Sequence, residues 1–180
     1  MDARIIFGIS VLMSFVSSAV VATLYVWPWL RARDRQRGLL SLVVPHMFLR
    51  FIGLSFLVHG VVSASLAADF AVRAAYGDLV AGILAIVAVI ALKRPTSWAI
   101  PAVWIFNIWG AADLLLAFYE GAHTQLRPEQ LGAAFYLPTA IVPPLLVTHF
   151  LIFALLIRGA KKEPRSPTPE ILKCENKTPR

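Results

Sequence analysis

The chain has 180 residues, of which 58% are hydrophobic and 15% charged, with 17 basic against 10 acidic residues and a formal net charge of +7. A mean hydropathy of +0.72 excludes an ordinary soluble domain, whose surface has to be largely polar. The basic residues fall in loops and in the C-terminal tail, where membrane topology places them, so the charge does not imply a nucleic-acid partner.

A membrane helix needs roughly 20 apolar residues, and five segments supply them. The predicted spans are 5–29, 45–66, 74–92, 97–119 and 133–157, with LLSLVV ahead of the second read as a short interfacial stretch. The fold class is therefore all-α, a polytopic transmembrane bundle over residues 1–158. The first span is expected to be retained. Its n-region MDAR carries no net side-chain charge and four arginines follow the apolar run, the reverse of a signal peptide. The tail, 159–180, is rich in proline and charge and reads as a disordered basic cytoplasmic segment. It holds the lone Cys174, which excludes an intrachain disulfide.

The loops set the orientation. RARDRQR at 31–37 carries four arginines against one aspartate, LKRPTS carries Lys93 and Arg94, and the tail carries Lys161, Lys162 and Arg165. SLAADFAVR and EGAHTQLRPEQLG each hold one arginine balanced by acids. Basic and near-neutral loops alternate, which predicts the N-terminus outside and the C-terminus in the cytoplasm. Trp27, Trp29 and Trp98 fall near the basic ends, as an aromatic belt would.

Several ionisable or amide side chains lie inside these spans, at a cost of at least ~2.5–3.5 kcal/mol for a charge at mid-membrane. Counted from the cytoplasmic ends at the helical rise, Arg50 lies about 7 Å in, His149 about 13 Å and Asn107 about 15 Å. His59 and Asp78 lie at about 21 Å and Asp113 at about 24 Å. The economical reading is that groups at matched depths face one another, with His59 the expected partner of Asp113. Asn107 and Asp113 are six residues apart, about 120° around a helix, so both face inward only if span four has neighbours on two sides. Arg50 reads either as a snorkelling side chain or as a cytoplasmic-side polar contact. Asp78, behind Tyr76-Gly77 at the start of span three, also reads as a helix cap. His46 and His123 read as solvated interface and loop residues, and Asn107 also as interhelical glue. Pro138, Pro143 and Pro144 predict a broken outer half of span five, and irregular backbone at that depth fits the wall of a cavity.

The resulting pocket candidates are His59, Asp78, Asn107, Asp113 and His149, on a periplasm-facing cavity. No metal site, glycine-rich phosphate loop, CxxC or Ser–His–Asp arrangement is legible, and no cofactor or catalytic residue is assigned. His59 and His149 differ by about 8 Å in depth, which disfavours bis-histidine haem ligation and leaves a single axial histidine. Five spans without a repeat are a small frame for alternating access, so transport would call for a homo-oligomer.

The stretches FLRFIGLSFLVHGVV, AAYGDLVAGILAIVAVIAL, WIFNIWGAADLLLAFYEG and YLPTAIVPPLLVTHFLIFALLIR resemble a family of small uncharacterised bacterial multi-pass membrane proteins. The resemblance includes the positions of Asn107, Asp113 and His149 and implies a bacterial inner (cytoplasmic) membrane location, with no activity attached. GLSFLVHGV and YGDLVAGILAIVAV are faintly similar to DoxX-like proteins. Three functions follow as alternatives: a membrane protein binding or conducting a small molecule or ion, a redox protein holding a cofactor through one histidine, and a non-catalytic assembly subunit.

Overall fold

The computed structural model describes residues 2–94 and 96–162. Among them, the chain forms helices and no strand beyond one isolated bridge between His59 and Val62. Five helical segments are long and apolar enough to cross a membrane: α1 (Ala3–Arg31), α2 (Arg35–Leu57), α3 (Ala68–Lys93), α4 (Ala99–His123) and α5 (Gly132–Arg158). The last continues as helix to Lys162. The rest of the tail, with Arg165, Ser166, Thr168 and Cys174, lies outside the described residues.

Helices α2, α3, α4 and α5 close into a four-membered ring, each packed against the next, and α5 packs back on α2. Helix α1 is added outside this ring, against α5. None of Ala3–Val21 is buried, and Ile5, Ile9, Leu12 and Val16 are exposed. Burial of α3 runs along Ala71, Ala75, Ala81, Ala85, Ala88 and Ala91, a small-residue stripe that lets neighbouring backbones approach.

Of three apolar clusters, a small one joins Leu114 of α4 to Leu145 and Leu146 of α5, and two larger ones fill the ends of the ring. One surrounds Leu39, Val43, Leu92, Phe106 and Ile152 toward the basic end. The other surrounds Phe56, Phe70, Leu131 and Leu137 at the opposite end. A polar layer lies between them.

The second span differs most from its prediction, Arg35–Leu57 in place of 45–66. Asp34 stands at the N-cap and Pro45 lies inside the helix, so the proline does not mark its start. Leu39, Leu42 and Val43 of the supposed interfacial stretch are core residues. Arg35 Nη2 donates to Leu156 O at 2.9 Å, and Gln36 Nε2 donates to Leu92 O, tying the start of α2 to the ends of α5 and α3. From Arg50 to Leu57 the helix tightens to 3₁₀ geometry. It stops where Val58 turns extended and Gly60 takes φ +85°.

The apolar residues beyond, Val61, Val62 and Leu66, belong to a loop that packs under the second cluster. Backbone bonds from Ser63 N to Gln130 O (2.9 Å) and from Ala133 N to Val61 O (2.8 Å) clasp it to the start of α5.

Helix α3 begins six residues earlier than predicted, at Ala68, with Asp69 in its first turn, where a carboxylate complements the helix dipole. Asp78 is therefore mid-helix, and it caps nothing. The outer half of α5 is broken as predicted: a 3₁₀ turn at Gly132–Phe135, a π segment at Leu137–Ile141 containing Pro138, then α-helix from Val142.

Candidate functional site

The polar layer is centred on Arg50, whose relative exposure is 0%. It stands at the point where α2 passes from α to 3₁₀ geometry. Its Nη1 donates to Asp78 Oδ1 on α3 and, at 2.8 Å, to Asp113 Oδ2 on α4. Its Nη2 donates to Gly110 O and faces His149 Nε2 at 3.5 Å. One guanidinium thus joins four helices. Charged hydrogen bonds of this kind are stronger than neutral ones, and a buried guanidinium needs them.

Glycines make this convergence possible. A Cβ on Gly53 would strike the Asp78 carboxyl, one on Gly77 the Asp113 carboxyl, and one on Gly110 the His149 ring and Arg50 Nη2. Gly60, by contrast, meets open space. Its role is the left-handed turn that ends α2.

A second set of bonds fixes the histidines. Asn107 Nδ2 donates to His149 O at 3.2 Å, so its Oδ1 accepts from His149 Nδ1 at 2.7 Å. That leaves the His149 Nε2 lone pair toward Arg50. Thr148 Oγ1 donates to Leu145 O at 2.7 Å and accepts from His46 Nε2 at 2.9 Å. The rings of His46, Phe106 and His149 pack at centroid distances of 5.1, 4.4 and 5.3 Å. His46 Nδ1 and Arg50 Nε are buried with no hydrogen-bond partner among the described residues.

The structure brings Asp78, Asn107, Asp113 and His149 together and leaves His59 out. His59 is exposed on the loop after α2, so it does not partner Asp113. Arg50 does. Arg50 lies fifteen residues along α2 from Arg35, about 22 Å at the helical rise, against the predicted ~7 Å. It does not snorkel. His46, expected to be solvated, is fully buried. His123 is exposed at the end of α4 and stacks on Tyr119 at 5.6 Å. Asn107 and Asp113 both face inward because α4 packs on α3 on one side and α5 on the other.

A crevice of about 600 Å³ separates α1 from the ring and reaches down to Asp78 and Asp113. Its walls include Phe7 and Phe15 of α1, Phe70 of α3, Ala117 and Phe118 of α4 and Leu137 of α5. Phe15 and Phe118 meet across it at a centroid distance of 5.8 Å. Side-chain exposure of the two carboxylates is 12% and 15%. Their other oxygens, Asp78 Oδ2 and Asp113 Oδ1, accept no hydrogen bond from the described residues. The site is thus an apolar chamber with acceptors at its deep end. Among the described residues no three His, Cys, Asp or Glu side chains gather as metal ligands.

No curated protein and no solved structure matches the chain. A family model described as "Domain of unknown function (DUF8737)" matches residues 6–157, nearly all of the helical bundle, and the chain belongs to that family.

Proposed function

We propose that this is a multi-pass protein of a bacterial inner membrane that binds a small molecule or ion in the crevice between α1 and the helical ring, with the N-terminus outside. Membrane residence is supported by the five long apolar helices and by exposed aliphatic side chains along all of α1. Orientation is supported by the clustering of Arg31, Arg33, Arg35, Arg37, Lys93, Arg94 and Arg158 at one set of helix ends. There Arg33 lies over Trp29 at 4.1 Å and Arg158 over Trp27 at 4.4 Å. The crevice then opens toward the periplasmic side, where Gln125 and Pro128 line it.

The observation that carries the binding reading is the placement of Asp78 and Asp113 at the deep end of a chamber of ligand size. Pockets for small molecules are mostly apolar, with a few convergent polar groups. The test is titration calorimetry of the full chain in lipid nanodiscs against phenylbutanol, with empty nanodiscs subtracted. Saturable one-to-one binding that Ala117→Trp abolishes supports the crevice as a site. Partitioning identical to empty nanodiscs refutes it.

The single-histidine redox reading is less well supported. His149 uses Nδ1 on Asn107 and turns Nε2 to a guanidinium, and His46 uses Nε2 on Thr148. The visible spectrum of protein purified from its host checks this directly, since a Soret band would restore that reading. In an assembly subunit the polar layer would serve only as helix glue, and Ala117→Trp would then leave no binding to lose.

A further inference from the structure

The deep end of the crevice has a definite chemistry. One guanidinium faces two carboxylates, which leaves a formal charge of −1. Arg50 offers nothing that an incoming anion can reach: Nη1 is shared by both carboxylates, Nη2 serves Gly110 O, and Nε, though unpartnered among the described residues, is sealed from the crevice with the rest of the side chain. The Asp78 and Asp113 carboxylates form this end of the lining, with side-chain exposures of 12% and 15%, and an ionised carboxylate only accepts. An occupant must therefore donate hydrogen bonds, and a cation is favoured over a neutral donor.

Above the carboxylates the walls turn apolar and aromatic. Phe7, Phe15, Phe70 and Phe118 line the chamber, and ring faces attract a cationic group. The volume of about 600 Å³ falls within the range of small-molecule pockets and far exceeds what a bare ion fills. Arg4, the other charged lining residue, belongs to the first turn of α1 and is exposed. It stands at the opposite end of the lining from the carboxylates.

Taking the crevice as a binding site, as proposed above, we infer that its occupant is a protonated amine carried on an apolar body. The ammonium donates to the Asp78 and Asp113 carboxylates, and the body lies among the phenylalanines.

Three probes of one shape test this in wild-type protein in nanodiscs at neutral pH: phenylbutylamine, phenylbutanol and phenylbutyrate. The expected order is the amine at least tenfold tighter than the alcohol, with the acid not binding. In Asp113→Asn the amine-to-alcohol ratio should fall toward one. If that variant does not fold, the three probes on the wild-type chain decide alone. Equal saturable binding of amine and alcohol overturns the amine assignment and leaves the crevice a site. Tighter binding of the acid overturns it too, and no saturable binding by any probe overturns both readings. A thermal shift produced by sodium chloride and absent with tetramethylammonium chloride would give the carboxylates to an inorganic cation and also overturn the assignment.

Discussion

The Arg50 guanidinium and the Asp113 carboxylate meet at 2.8 Å, although 63 residues separate them in the chain. The bond spans α2 and α4, helices on opposite corners of the ring, and it passes beside Asp78 on α3. This pair, with Asp78, makes the polar layer one connected unit instead of a set of separate polar residues in apolar helices.

Breaking that unit from one side is expected to be costly. Arg50→Met leaves two carboxylates without their cation, and removing one partner of a buried ion pair typically costs ~3–5 kcal/mol. Adding Asp78→Asn and Asp113→Asn to Arg50→Met should recover part of the loss. Thermal unfolding in one detergent, for the single and triple variants, checks the order. A triple variant less stable than Arg50→Met would show that the carboxylates do not depend on Arg50.

The glycines facing the carboxylates predict a steric pattern. Gly77→Ala would drive a methyl into the Asp113 carboxyl, and Gly53→Ala would do the same at Asp78. Overpacking of this kind costs about 1–3 kcal/mol. Gly8→Ala, where nothing lies within 4 Å, should be neutral or slightly stabilising. The melting temperatures of the three variants, compared side by side, decide it.

Asn107 and His149 exchange two hydrogen bonds. Asn107→Leu leaves the Nδ1–H of a buried imidazole unpaired, at ~1–3 kcal/mol. His149→Phe together with Asn107→Leu should cost less than the sum of the single changes, with a coupling of at least ~0.5 kcal/mol. Additive losses in that cycle would mean the two side chains act independently.

His59 supplies the contrast. It is exposed on a loop, so His59→Ala should leave stability within about 0.5 kcal/mol of the parent. Phenylbutanol binding should also be unchanged. Loss of binding in this variant would mean that the loop after α2 closes over the crevice.

Orientation can be read in intact cells. In a Cys174→Ser background, a cysteine at Glu129 should react with a membrane-impermeant maleimide. A cysteine at Arg33 should react only after permeabilisation. Both positions are exposed, so access is governed by the side of the membrane. The reverse pattern would invert the topology.

The residues themselves determined the number of apolar segments, their helical character and the clustering of basic residues at alternate ends. Each depends on composition summed over a segment of roughly 20 residues, and an error of a few positions hardly alters it. The broken outer half of α5 was equally legible, because Pro138, Pro143 and Pro144 remove backbone donors wherever they stand.

Only the tertiary structure decided which polar side chains meet. That choice depends on helix start, register and neighbours. Pro45 and the apolar run through Leu66 moved the second span about ten residues too far along the chain. Pro45 in fact lies inside α2, and Val61, Val62 and Leu66 bury themselves in a loop. The one displacement made Arg50 look shallow, His46 wet and His59 membrane-buried. Asp34, ahead of Arg35, was the available signal, since aspartate is a favoured N-cap. Hydropathy reports how much apolar surface a segment carries. Where that surface faces is set by the partners it packs against.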